Sequence, residues 1–489
     1  LMIEDFTSID SMRYEFTIVG TGPAGISVAL ELEKRRRSVL LIEGGGYNYS
    51  KSSQDIYDGK VVGNYSYSIN DTRLRYFGGS SNHWGGWCRP LEEVDYKRFP
   101  IKKNDLDPYL EKASSILEID GKFDSDRFIS KNFKQIEYQY SPPVRFGSKY
   151  RKHIERSKLI GILTNTNVLG IYAKDGVINR AEYIDTVHEN LGRRRLRINC
   201  LIVACGGIEN SRLLLWSKDN GELFSNLTIG KGWMEHPHYF KVGKIIAYNK
   251  KIFELLKPFP ARRTEVSDNL DYFGGEVYLQ PTKFMIEDTG TANARLDLSI
   301  ARNTNSLKRA IKEILCKSPE YGQKLASLAN QNLICSMSIG MLWEQKPSSE
   351  NRVELDYSNS DKYGIPRTKL IWGLSQDDKN TPRICMQKLG EFFLDKELGR
   401  VGVSSFIEDD SVFPPGQFGG HHMGGTPMGR GQGDGVVDRN LKIFGTSNVY
   451  VVGSSTFPSS GHANPTLTIV QMSLRLADYL ANKYNYGSR

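Results

Sequence analysis

An α/β fold, with an α+β domain inserted into a parallel-sheet domain made from both ends of the chain, is predicted by three observations. A β-rich apolar run, Phe16-Thr17-Ile18-Val19, breaks at Gly20-Thr21-Gly22-Pro23-Ala24-Gly25 and passes into a helical pattern carrying Ala29, Leu30 and Leu32. A later run, Leu201-Ile202-Val203-Ala204, is apolar on both faces, as in a parallel sheet covered on each side, and is read as rejoining the first sheet. Between residues 240 and 414 the texture changes. Strand-like runs (Phe273 to Leu279, Leu333 to Trp343, Arg352 to Leu355, Lys369 to Trp372) alternate there with helical stretches near 305–330 and 381–399.

Each glycine of the first turn has a separate reason. Gly20 allows the tight strand-to-helix turn, Gly22 lets backbone approach a pyrophosphate, and Gly25 lets helix and strand pack closely. The free N–H groups and dipole of the new helix face the phosphates. Ser38 to Ile42 reads as the second strand, and Glu43, eighteen residues past Gly25, ends it. An acidic side chain there can hydrogen-bond ribose hydroxyls. Strand, helix, strand and acid in register make a Rossmann-type dinucleotide site, without deciding between NAD and FAD.

The 489 residues exceed what one core holds, so two domains, or one with an insertion, are expected. Hydrophobic residues at 39% and charged residues at 25% are those of a soluble globular protein. The net charge of +9 is spread along the chain, and no nucleic-acid motif accompanies it. Lys34-Arg35-Arg36-Arg37 suits the solvated end of the first helix, and Arg193-Arg194-Arg195 a hairpin rim. The six cysteines show no metal spacing, and no metal is expected. No apolar run approaches the ~20 residues of a membrane helix. The first strand begins at Phe16 behind acidic residues, so a cytoplasmic location is expected.

Further along, Gly78-Gly79-Ser80-Ser81-Asn82-His83-Trp84-Gly85-Gly86 reads as a ligand-lining loop, since glycine backbone packs flat on a cofactor and small hydroxyls reach phosphate or ribose. Asp107-Pro108 starts a helix through Leu117. Val168 to Tyr172, Ile178 to Val187 and Leu196 to Ile198 read as a small antiparallel meander. A helix carrying Leu213 to Trp216 follows Cys205-Gly206-Gly207, and Gly230 to His238 is a loop leaving that domain. The last seventy residues hold a glycine-framed His421-His422 pair and a buried strand, Val449 to Val452, ending at Gly453 and Ser454. There Gly461-His462-Ala463-Asn464-Pro465 leads into a helix from Thr466, with Asn464 fitting the N-cap and Pro465 the first helical position.

These residues resemble the glucose–methanol–choline (GMC) family of FAD oxidoreductases. The N-terminal glycine loop, the Gly78–Gly86 loop, the helix entry at Ile208–Leu215 and the block from Gly420 to Leu480 carry the resemblance. Ser81-Asn82-His83-Trp84-Gly85, His421-His422-Met423-Gly424 and Asn464-Pro465-Thr466 are most similar to the pyranose-oxidase-like branch. The resemblance implies a discontinuous FAD-binding domain (1–104, 150–238 and 415–489), a sheet-plus-helix substrate-binding domain (239–414) and a connecting helix and loop (105–149). It implies FAD held by Gly20, Gly22, Gly25, Glu43, Gly79, Ser80, Ser81, Asn82, His83, Gly453, Ser454, Pro465 and Thr466. His421 and Asn464 take the catalytic positions facing flavin N5. A link through His83 is one mode of holding the flavin, but Gly85 after Trp84 departs from the covalent pattern and favours non-covalent binding.

The chemistry suits that pair. Hydride loss from an alcohol leaves a protonated carbonyl unless the hydroxyl proton is removed, and a neutral imidazole accepts it readily. Asn464 at the same oxygen orients the carbinol C–H. His462 is the second candidate for base, and His422, pointing elsewhere, is structural or binds substrate. The expected activity is FAD-dependent oxidation of a secondary alcohol, a ring hydroxyl of a sugar or glycoside, with oxygen or another acceptor taking the electrons. The alternatives are a flavin-containing lyase on the same scaffold, a dehydrogenase of a non-sugar alcohol, and an NAD enzyme suggested by the first motif alone.

Overall fold

The structure, a computed structural model, describes residues 4–63, 67–142, 144–174, 177, 179–247, 251–256, 259, 277–300, 336–409, 413–414 and 420–484, with isolated positions between 311 and 328. The expected helical stretch near 305–330 and the start of the run at Phe273 lie outside the described residues.

The first sheet has five parallel strands in the order Val449–Val451, Cys200–Val203, Phe16–Val19, Val39–Ile42, Ile160–Leu163. Every residue of these strands is buried, so their unbroken apolar runs reflect coverage on both faces. The glycine-loop helix, Pro23–Lys34, lies beside the C-terminal helix, Thr466–Lys483. Both ends of the chain therefore meet in one layer.

The glycines divide their duties as the sequence indicates. At Gly20, φ is +102° and a Cβ would sit 2.4 Å from the Ala204 carbonyl oxygen. At Gly25 a Cβ would fall 2.0 Å from the Gly20 oxygen, so the helix presses directly on the turn that feeds it. A Cβ on Gly22 would meet no atom within 4 Å. Nothing among the described residues requires glycine there, which is compatible with the expected approach of a ligand to the backbone.

The second sheet has seven strands, in the order Gly399–Val403, His238–Ala247, Ser336–Trp343, Ala294–Ile300, Val277–Pro281, Phe133–Ile136, Arg127–Phe128. It takes its last two strands from the segment expected to connect the domains. The helix Gln376–Asp395, opened by a Ser375–Asp378 capping box, covers one face. Ala294, Leu296 and Leu298 join Cys385, Leu389 and Phe393 in that core. By strand alternation, Arg295 and Asp297 project from the opposite face. A third sheet pairs Arg352–Ser360 with Pro366–Trp372, and the latter runs parallel to Gly59–Gly63. The meander forms as Thr166–Ala173, Ala181–His188 and Gly192–Arg197. Among the described residues no helix is long and apolar enough to cross a membrane.

Gly25→Ala should destabilise the protein by about 1–3 kcal/mol, because the added methyl collides with backbone that cannot retreat. Denaturant unfolding of the apoprotein checks this; an unchanged midpoint would show that the turn yields.

Candidate active site

The glycine loop and the Gly78–Gly86 loop meet at backbone level. Gly78 N–H donates to the Thr21 carbonyl at 3.1 Å, and a Cβ on Gly79 would lie 3.2 Å from Gly22 Cα. The start of the Pro23–Lys34 helix has no side-chain cap, and its first amides face the same space. Glu43 is buried. One oxygen accepts from Thr21 N–H (3.2 Å) and Thr21 Oγ1 (2.6 Å), and the other from Gly45 N–H at 2.8 Å. The second oxygen keeps a lone pair that a ribose hydroxyl can use.

The remaining expected cofactor residues separate into two groups. Ser81 is turned inward, donating to the Gly78 carbonyl and accepting from Phe146 N–H. Asn82 Nδ2 donates to the Phe77 carbonyl, and Ser454 Oγ to the His422 carbonyl. These three shape the loops. Ser80 is exposed and so is much of His83, although atoms packed against one side of its ring, then Arg145, lower the His83 pKa. Gly453 adopts φ +121°, and the only atom near its absent side chain is Asn210 Nδ2 at 3.9 Å. Gly22, Gly79, Gly453 and the uncapped helix start thus form a backbone-lined cradle that fits a dinucleotide.

The C-terminal helix begins at Thr466 with Pro465, not Asn464, in the capping position. This corrects the capping assignment. Asn464 does not cap because its amide is turned to His421, with Nδ2 at 3.0 Å from His421 Nε2. The amides at the start of the helix remain directed outward, and with them its positive dipole end.

His421 and Asn464, distant in sequence, are brought together and are both half-buried. Asn464 Oδ1 has no protein partner among the described residues. His422 diverges, placing Nε2 at 3.1 Å from Thr72 Oγ1 and its ring against Trp233. His462 is fully buried under the Tyr138 ring and makes no bond to His421. Of the weighed histidines, His421 is the one in contact with Asn464.

Sequence reasoning missed the partner behind His421. Met234 and Met423 exchange both backbone bonds in an isolated antiparallel bridge, at 2.7 and 3.0 Å. That register sets His236 opposite His421, and their Nδ1 atoms lie 2.8 Å apart. His236 Nε2 lies 2.9 Å from the Gly461 carbonyl oxygen. Glu235 Oε1 accepts from the backbone N–H of both His236 (2.9 Å) and His421 (2.8 Å). The Glu235-His236-Pro237-His238 run was the visible signal, read only as a loop.

Burial, followed by His236, His238 and Arg295 nearby, pushes the His421 pKa well below its ordinary value. Burial lowers His236 to about 3, although the Ser460 and Gly461 carbonyls oppose it. Both rings are therefore neutral near pH 7.

Beyond the pair stands a wall that motif reading did not find. The Arg295 guanidinium lies 4.6 Å from the Trp87 ring, 4.9 Å from Tyr138 and 5.4 Å from Tyr278. Asp297 accepts from Arg295 at 2.6 and 3.0 Å, and Tyr140 and Tyr278 share a 2.8 Å hydroxyl bond. The Tyr138 hydroxyl lies 3.4 Å from the His462 carbonyl and His238 Nε2 lies 3.9 Å from Asp297, which puts the wall beside the segments that carry Asn464 and His236.

A Rossmann-type sheet, a backbone cradle and a His–Asn pair under a second sheet define a dinucleotide-dependent oxidoreductase. Comparison with known proteins makes this specific. Residues 347–473 match the GMC oxidoreductase model. The chain is 22% identical to a 2-methyl-1,2-propanediol dehydrogenase of Mycolicibacterium austroafricanum, over 98% of this chain and 97% of that one. It is 25% identical to the fructose dehydrogenase large subunit of Gluconobacter japonicus, over 63% of this chain and 52% of that one. Its fold is similar to that of a pyridoxine 4-oxidase from Mesorbium loti, with a TM-score of 0.60, 15% identity and coverage of 97% and 99%. The chain is thus similar to GMC oxidoreductases, and it is an enzyme acting on CH–OH groups, as oxidase or dehydrogenase. The similarity to that family implies FAD, and the cradle residues named above would hold it.

Gly22→Ala should leave apoprotein stability unchanged and weaken FAD retention, measured by flavin fluorescence on dilution. Equal retention would remove Gly22 from the cradle. The lowered His421 pKa also sets a pH profile. The neutral ring is the competent base, so substrate-driven flavin reduction should hold its rate as pH falls through 6.5 and decline only well below it. A decline centred at or above 6.5 would contradict the assignment.

Proposed function

We propose that this enzyme oxidises a secondary alcohol, a ring hydroxyl of a sugar or glycoside, to the corresponding ketone, using non-covalently bound FAD. The observation that carries the reading is the 3.0 Å approach of Asn464 Nδ2 and His421 Nε2, one donor and one acceptor on two half-buried side chains. An alcohol oxygen bound against the pair, in place of their mutual bond, donates its proton to Nε2 and accepts a bond from Nδ2. His421 takes the proton as the C–H bond breaks, and Asn464 fixes the oxygen so that the C–H direction is set. FAD, when bound, supplies the hydride acceptor. The N-terminus of the Thr466 helix favours negative charge developing beside it.

The sugar assignment draws on the wall of Trp87, Tyr138, Tyr278 and Arg295. Aromatic rings and an Arg–Asp pair are the side chains that suit the faces and hydroxyls of a pyranose, and of these rings Trp87 is half-buried while Tyr138 and Tyr278 lie deeper. The similarity to a fructose dehydrogenase subunit and the pyranose-oxidase-like motifs at His83, His421 and Asn464 favour the same class. A small vicinal diol is the second reading, favoured by the similarity to the propanediol dehydrogenase over nearly the whole chain.

Anaerobic mixing of the FAD-loaded protein with D-fructose, D-glucose, phenyl β-D-glucopyranoside and 2-methyl-1,2-propanediol should bleach the flavin with a sugar or glycoside. Bleaching by the diol alone would replace the proposal with the second reading, and bond cleavage without bleaching would indicate a lyase. Admission of air then separates oxidase from dehydrogenase, and yellow supernatant after acid precipitation marks non-covalent flavin. His421→Ala and Asn464→Ala should retain flavin and lose about 100- to 10,000-fold in its reduction by substrate. Full activity in either variant would reject the pair.

A further inference from the structure

We infer that His236 is a positioning residue that locks His421 in the tautomer able to act as base, an inference resting on His421 as the proton acceptor. The hydrogen-bond chain leaves one consistent arrangement. A carbonyl oxygen only accepts, so His236 Nε2, 2.9 Å from the Gly461 oxygen, carries a proton. A neutral His236 then presents a bare Nδ1 to His421 Nδ1 at 2.8 Å. Two bare nitrogens at that distance would repel, so His421 carries its proton on Nδ1. Its Nε2 is left with the lone pair, directed at Asn464 Nδ2.

The surroundings keep this chain neutral. His236 is wholly buried, and its neighbours with charge or titratable groups are Glu235, His238, Arg295 and His421. Glu235 Oε1 is engaged by the two backbone amides and Asp297 by Arg295, and burial holds the His236 ring neutral. During turnover the substrate O–H bond breaks and a bond from hydrogen to His421 Nε2 forms. The resulting imidazolium already donates its Nδ1–H to His236. No proton passes to His236 Nε2, which stays bonded to Gly461. Without His236 the His421 ring can carry its proton on Nε2, where it cannot accept another.

Two variants separate locking from scaffolding. In His236→Gln the side-chain amide reaches the Nε2 position and can still donate to Gly461, but the acceptor facing His421 is gone. In His236→Asn the amide oxygen reaches the Nδ1 position and restores that acceptor. Histidine-selective ¹⁵N spectra of the FAD-loaded protein should show His421 with a protonated Nδ1 and a pyridine-like Nε2, and His236 with the reverse. The His236→Gln protein should lose the fixed His421 tautomer and about 100-fold in flavin reduction by the best compound of the panel, with little change in its binding. His236→Asn should recover part of that rate. A wild-type His421 protonated on Nε2, or a His236→Gln protein with unchanged tautomer and rate, would overturn the inference. The tautomer spectra need no substrate, so failure of the sugar reading and failure of this inference are distinguishable.

Discussion

The isolated bridge between Met234 and Met423 is the constraint on which the site depends. It joins the loop that leaves the parallel sheet to the segment that returns from the inserted region, and it does so in a single register. One residue of slip would exchange His421 for His422 opposite His236. Glu235 reinforces the register by accepting from both backbones at once. Ser454 Oγ, bonded to the His422 carbonyl, holds the returning segment against the strand that ends at Gly453.

Around that bridge the two sheets contribute different physics. The parallel sheet offers backbone: glycines without neighbours, and helix starts without caps. Such surfaces suit an anionic cofactor whatever its chemistry, because amides and dipoles recognise charge and shape more than identity. The antiparallel sheet offers side chains, with Arg295 and Asp297 projecting opposite the helix-covered core. On the proposed function, the second sheet is the one that would select the alcohol, and the parallel sheet the one that would hold the redox cofactor.

The histidines illustrate what burial does to a titratable group. Burial drives His236 and His422 to about 3 and lowers His421 and His462 well below the ordinary value. A cluster of imidazoles beside the Arg295 guanidinium would repel itself if charged, and the fold avoids this by keeping each ring neutral. Neutrality has the further effect that every ring must present one donor and one acceptor, so hydrogen-bond direction becomes determinate along the chain from Gly461 to Asn464.

Much of the scaffold was legible in the chain itself. Gly20, Gly22 and Gly25 declared the turn because backbone contacts at 2.4 and 2.0 Å exclude a side chain at two of them and the third is compatible with the approach of a ligand. Unbroken apolar runs declared the parallel strands, since burial on both faces leaves no polar alternation. The His421 and Asn464 positions were legible through family resemblance. What the chain alone could not decide was partnership. Ser81 and Asn82 carry the right groups for a cofactor yet spend them on loop carbonyls, and Asn464 has the residue type of a helix cap yet turns to a histidine. The strands at 127–136 joined the second sheet through pairings remote in sequence. His236 was passed over because local pattern records which groups a residue owns, whereas the register between segments 185 residues apart decides which partner each group meets.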